Sequence, residues 1–118
     1  MKLRKIYTKH FPTKEYKALT IFPFVFVRKD MVEKFVDATE RHETTHALQQ
    51  LELLWVLFFV WYGLEYLIKY VICKFDSDRA YFSISFEQEA YENQNQFFYN
   101  DVRKHYAWLR HVFTLKSK

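Results

Sequence analysis

The sequence predicts an α+β fold that is mostly α: a short N-terminal β region followed by three to four helices. Two observations carry this. Half of the 118 residues are hydrophobic and 21% are aromatic, yet there is one Gly and two Pro. Long regular elements joined by short turns fit that composition better than a many-turned β fold. The β-branched and aromatic residues that favour strands are gathered in one N-terminal run, and helical character follows it. At this length, residues 1–118 are expected to form a single compact domain.

The opening stretch "MKLRKIYTKHFPTKEYK" is charged throughout and lacks the apolar segment of a signal peptide. The densest basic groups (Lys2, Arg4, Lys5 and Lys116, Lys118) read as solvated ends. The lone Cys73 permits no intramolecular disulfide and fits a reducing compartment, so the expected location is cytoplasmic, with membrane association left open by the apolar segment described below. A net charge of +4 is mild, and no basic cluster is interleaved with exposed aromatics, so nucleic acid is not an expected partner.

"ALTIFPFVFVRKD", Ala18 to Asp30, reads as one strand or as two short strands bent at Pro23. A proline in such a run points to an edge strand or a bulge. Helical character begins near Met31 to Asp37, with Asp37 or Thr39 as the cap. Leu51 to Ile72 is then apolar on nearly every side. Its 22 residues could reach across a bilayer, but Glu52, Glu65 and Lys69 interrupt it, and the longest uncharged run, Leu53 to Leu64, is 12 residues. That favours a buried or interfacial helix, with a membrane surface or a partner helix as its neighbour, over a span. Glu65 and Lys69 are four apart and can pair on one face. One helix from Ala38 to Ile72 would be about 50 Å long, too long for a domain of this size. A break is therefore expected near Gln49 to Glu52 or at Gly63.

Lys74 to Ser85 reads as a loop. A helix restarts in "SFEQEAYENQNQFF", with Ser85 as its cap and Gln88 at capping-box spacing. Asn100 to Phe113 reads as a last amphipathic helix with Tyr106, Leu109 and Phe113 on one face, placed to close over a cleft.

The chemistry is concentrated in "ERHETTHALQQ", Glu40 to Gln50. On a helix, residues four apart share a face, with Cβ atoms about 5–6 Å apart. His42 and His46 can therefore present imidazole nitrogens to one ion. Zn2+ suits such a site, because it accepts neutral imidazole and tolerates one open position. Glu43, directly after the first histidine, can take the proton of a water at the metal as general base. A catalytic zinc needs a third protein ligand. His10, His105 and His111 do not follow at short spacing. Glu87 and Glu89 open a predicted helix, and a motif helix packed on that glutamate helix would complete a His, His, Glu set. Residues two apart on a helix point in different directions, so only one of the two can face the metal.

"HETTH" followed by "FEQEAY" resembles the gluzincin zinc metallopeptidases, and the size is similar to the minigluzincins, their compact single-domain versions. The resemblance covers about Ala18 to Gln96. It implies a zinc-dependent hydrolase acting on a peptide or protein, with Glu43 as general base and His42, His46 and Glu87 as ligands, Glu89 being the alternative third ligand. Ala90 matches the family's Ala. Tyr91 stands where the family usually has an Asp or Asn that hydrogen-bonds a ligating histidine. Its hydroxyl, Asp76 or Asp78 are the substitutes available. The resemblance also implies edge pairing of the substrate with the upstream strand, here Leu19 to Arg28. Charge that builds up on the substrate carbonyl oxygen would be met by a group among Tyr81, Tyr91, Tyr99, His105 and His111. The alternative expectation is a membrane-associated or protein-interaction module that retains the zinc site and is catalytically weak or latent.

Overall fold

In the computed structural model, residues 3–9, 18–30 and 37–116 are described. Three strands come first: β1 (Arg4–Thr8), β2 (Ala18–Ile21) and β3 (Phe24–Arg28). The helices α1 (Asp37–Glu52), α2 (Val56–Ile72), α3 (Ser77–Ser83), α4 (Ser85–Asn93) and α5 (Tyr99–Val102) follow, with a final 3₁₀ turn at Ala107–His111. The fold class is the expected one.

β2 and β3 are antiparallel on either side of a Phe22-Pro23 turn, with Ile21 opposite Phe24. β1 runs parallel to β3, so the sheet order is β1-β3-β2. Two corrections follow. β1 carries Arg4 and Lys5 and has four of its five residues at the surface, so it has no apolar pattern to reveal it. It exists because its backbone pairs with β3. In addition, the Leu19 to Arg28 run is not one edge: β3 is central, and only its β2 portion lies at an edge.

α1 ends at Glu52, and α2 leaves at 111° to it. The break falls at the end of the expected window, and Gly63 sits unbroken inside α2. Leu54 and Trp55 adopt φ of 52° and 60° at the corner. Left-handed backbone costs a non-glycine residue about 1–2 kcal/mol. Trp55 offsets this by donating its N–H to Gln50 O (2.8 Å) and its indole Nε1 to Phe22 O (3.2 Å). A molecule with a longest dimension of 34 Å has no room for an unbroken helix of the summed length. Among the described residues no single helix is long and apolar enough to cross a membrane.

The predicted loop at Lys74 to Ser85 contains α3, whose first turn is capped by the Asp76 side chain accepting from Arg79 N. Ser85 does not cap α4. It lies inside the helix, and the Glu65 carboxylate of α2 accepts from both its N–H and its Oγ, each at 2.6 Å. A charged side chain from another helix thus does the work of the cap. Gln88 turns instead to the carbonyls of Ser83, His111 and Thr114. The predicted last helix is also broken. The Tyr106 N–H is drawn to Glu52 Oε2 (2.6 Å), and Tyr106 takes a left-handed φ of 60°. Tyr106, Leu109 and Phe113 are exposed, while Trp108 is buried against Phe86 and Trp61.

Two apolar clusters result. Leu3, Val25, Val27 and Ala47 join the sheet to α1. Phe58, Ile84, Phe86 and Trp108 join α2, α4 and the C-terminal segment. α1 packs on α4 between them, as the sequence suggested.

Candidate metal centre

α1 reads as a polar helix, yet its central turns are buried: His42, Glu43, Thr44, Thr45, His46, Gln49 and Gln50. Burial of so many polar groups requires partners for each, and these partners set the site. Thr44 donates to Glu40 O and Thr45 to Asn100 Oδ1, both at 2.8 Å. Gln50 clamps β2, accepting from Phe22 N (2.7 Å) and donating to Thr20 O (2.6 Å).

His42 and His46 both face Glu87 on α4. His42 Nε2 and His46 Nε2 are each 3.1 Å from Glu87 Oε1 and 3.2 Å from each other. Donors about 2.0–2.1 Å from one tetrahedral ion stand about 3.3–3.4 Å apart, so these three atoms are within a few tenths of an ångström of a metal-binding triangle. The outer nitrogens support the same role. His42 Nδ1 bonds Gln94 Oε1 (2.9 Å) and His46 Nδ1 bonds Gln49 Oε1 (2.8 Å). An Nδ1–H held by an amide oxygen leaves the Nε2 lone pair for an ion and fixes the ring's direction. Glu87 Oε2 accepts from the Tyr62 hydroxyl at 2.7 Å. His42, His46 and Glu87 thus form a buried group that can hold a metal ion.

Electrostatics agree with the geometry. Burial disfavours the charge on Glu87, but the two imidazoles outweigh it and hold the carboxyl well below its usual range. Burial also disfavours protonated His46, but the charge and hydrogen bond of Glu87 lift it to about 9. The pocket therefore favours positive charge, as a cation site must. Burial pushes the Glu43 carboxyl up, against the opposing pull of His42, His46 and the hydrogen bond from Thr20. Thr20 Oγ1 on β2 holds Glu43 Oε1 at 2.7 Å.

Glu89 is turned away from the triangle. It accepts from Arg103, Tyr99 and Gln49 (2.7, 2.6 and 2.9 Å), a separate buried network. Tyr91 places its ring edge-on to His42 at 4.3 Å, and its hydroxyl meets that of Tyr81 at 3.1 Å. The outer nitrogen of His42 is held by the Gln94 amide oxygen. Asp76 caps α3, and Asp78 lies in the exposed first turn of that helix. Of the groups considered for stabilising charge on a substrate, Tyr81 and Tyr91 lie beside the site. Burial and then the charge of Glu87 push the Tyr81 phenol far up, so it stays protonated. Tyr99 bonds Glu89, His105 is exposed beside Glu52, and His111 faces Glu92. His10 lies outside the described residues.

Four residues of the site were not singled out from the sequence: Thr20, Gln49, Tyr62 and Gln94. Gln49 follows His46 by three, so helical spacing alone could have found it. Thr20 is the polar member of an apolar strand, a weaker signal. Tyr62 and Gln94 gave no local signal. The chain matches no protein-family model, no curated protein and no solved structure.

Proposed function

We propose that this protein is a zinc-dependent hydrolase of the gluzincin type that cleaves peptides. The observation that carries the reading is the His42, His46, Glu87 triangle with Glu43 buried beside it and held by Thr20. The two-histidine, one-carboxylate set also suits non-haem iron; a glutamate directly after the first histidine favours zinc chemistry. When bound, zinc supplies a Lewis acid that polarises a carbonyl and makes water acidic near neutral pH. His42, His46 and Glu87 would hold it through Nε2, Nε2 and Oε1. Glu43 takes the proton of the attacking water and passes it to the leaving amine. The raised basicity that burial gives Glu43 suits it to that task. Thr20 engages one Glu43 oxygen and leaves the other to carry the proton. Protonated Tyr81 is the donor we assign to the charge that develops on the substrate oxygen.

A second reading, a zinc-retaining module with weak or latent catalysis, is favoured by burial. His42, Glu43, His46 and Glu87 are only 4–7% exposed. Gln50 also occupies the Thr20 carbonyl, so a peptide strand pairing there with β2 would have to displace it. The experiment is elemental analysis of protein purified without chelator, followed by cleavage of a peptide library. Zinc at one equivalent per chain is expected, lost in His42→Ala and Glu87→Ala. Glu43→Gln should keep zinc and lose about 10²–10⁴-fold in rate. Full zinc with no cleavage selects the latent module; iron in place of zinc, or no metal, overturns both readings.

A further inference from the structure

α2 is turned inside out. Its only charges, Glu65 and Lys69, are 6% and 4% exposed and face the protein. They bind each other at 2.6 Å and grip the junction of α3 and α4, Lys69 through Ser83 O and Glu65 through Ser85. The outward side is Leu57, Val60, Leu64, Leu67, Ile68 and Val71, each more than half exposed. The polar atoms of the neighbouring aromatics also point inward or are already engaged. Trp55 Nε1 reaches Phe22 O, Trp61 Nε1 reaches Glu65 and the Tyr66 hydroxyl meets Ser77 Oγ. Seventeen residues of helix, about 25 Å, thus present an outward face without a charged side chain. A contiguous apolar face of that length marks an interaction surface.

Three features select what covers it. The first is width. Leu57, Leu64 and Val71 share the centre of the face, and Val60, Ile68 and Ile72 extend it to both flanks. A partner helix covers a seam of about two positions in seven, whereas hydrocarbon covers the whole face. The second is continuity. The apolar surface runs past both ends of the helix into Leu54 and Phe75, 69% and 66% exposed. Sideways it crosses a groove of about 560 Å³ between α2 and the C-terminal segment, whose lining is mostly apolar but includes the buried Glu65–Lys69 pair, and reaches Phe113 and Leu115. The third is charge. Lys74, Arg79 and Lys116 stand against exposed Asp76 and Asp78 where α2 ends and beside Leu115, so this edge is mixed in sign with a net positive charge, which complements anionic headgroups.

We propose that α2 is an in-plane membrane anchor that lies along an anionic bilayer surface. Its apolar face enters the acyl region, and the metal centre sits on the aqueous side behind it. The helix is shorter than the roughly 30 Å hydrocarbon core, and its other face is packed on α3, α4 and the C-terminal segment, so it lies along the bilayer rather than across it. This holds whether or not the metal centre is catalytic.

Flotation of the full chain with vesicles of phosphatidylcholine plus phosphatidylglycerol tests it. The chain should float, resist release by high salt, and bind more weakly to phosphatidylcholine alone. A Leu64→Glu, Ile68→Glu double variant should stay behind with unchanged circular dichroism, since both side chains are exposed. Ile6→Glu on β1 and Glu43→Gln should float like the parent, which keeps loss of anchoring distinct from loss of catalysis. Three results would overturn the proposal: no flotation of the parent chain, equal flotation of the double variant, or a Leu64→Cys variant that forms a disulfide dimer through α2 while the parent ignores vesicles. The last would make a second copy the occupant.

Discussion

Both oxygens of Glu87 are used, Oε1 by the two histidines and Oε2 by the Tyr62 hydroxyl. Tyr62→Phe removes one hydrogen bond and little volume. Loss of an orienting partner of this kind typically costs about 10–100-fold in metal affinity, and chelator competition should read that loss with the helix content unchanged. Gln49→Ala should do the same through His46, with an added stability cost because Gln49 also serves Phe86 O and Glu89. His42, Glu43 and His46 were legible from spacing, because four residues on a helix span one turn whatever packs around it. Helical spacing left Glu87 and Glu89 as an either-or, and only the resemblance preferred Glu87. Helical geometry says that the two diverge; the packing of α4 says which one faces α1. The Tyr91 position was legible as a departure. That Gln94, three residues on, holds His42 Nδ1 was not legible.

At the scale of elements, α1 and α2 reverse the usual distribution of polarity. α1 buries histidines, threonines and glutamines, and α2 buries an ion pair while exposing leucines, isoleucines and valines. The Glu65–Lys69 pair was readable from its spacing, but its direction was not: a surface pair and a buried pair share the same i,i+4 signature. Its side chains are 4–5% exposed. Lys69→Ala should lower the unfolding free energy in urea by about 3–5 kcal/mol, the usual cost of leaving one buried charge unpaired. Gly63 offers the opposite test. It sits in the exposed middle of α2, and an added Cβ meets nothing within 4 Å. Gly63→Ala should stabilise the protein by about 1 kcal/mol, the helix-propensity difference. α3 and the broken last helix escaped prediction for one reason. Short elements contain too few residues for periodicity, so caps and distant carboxylates such as Asp76 and Glu52 decide where they start and stop.

At the scale of the molecule, Arg103 holds the parts together. It binds Glu89 on α4 and Glu52 at the end of α1 while only 4% of its side chain is exposed. Arg103→Ala should cost about 3–5 kcal/mol in a denaturant titration, because two carboxylates lose their buried partner. The same tie changes the view of the C-terminal segment as a removable cover. Truncation after Gln96 takes Arg103 and buried Trp108 away and should unfold the chain, which circular dichroism would read at once. A metal would add a further tie between α1 and α4. An ion bound only by the folded state at a thousandfold excess over its Kd adds about 4 kcal/mol. A chelator should therefore lower Tm by the same amount in the parent chain and in Glu43→Gln, and leave His42→Ala unmoved. The sequence by itself determined the fold class, the bend after α1 and the two histidines with their glutamate, because composition, chain length and helical spacing are local facts. Only the tertiary structure decided that Glu87 closes the triangle, that glutamines and a tyrosine orient it, and that the charges of α2 face inward. Those outcomes depend on which faces meet, and facing is a property of packing that no stretch of chain carries alone.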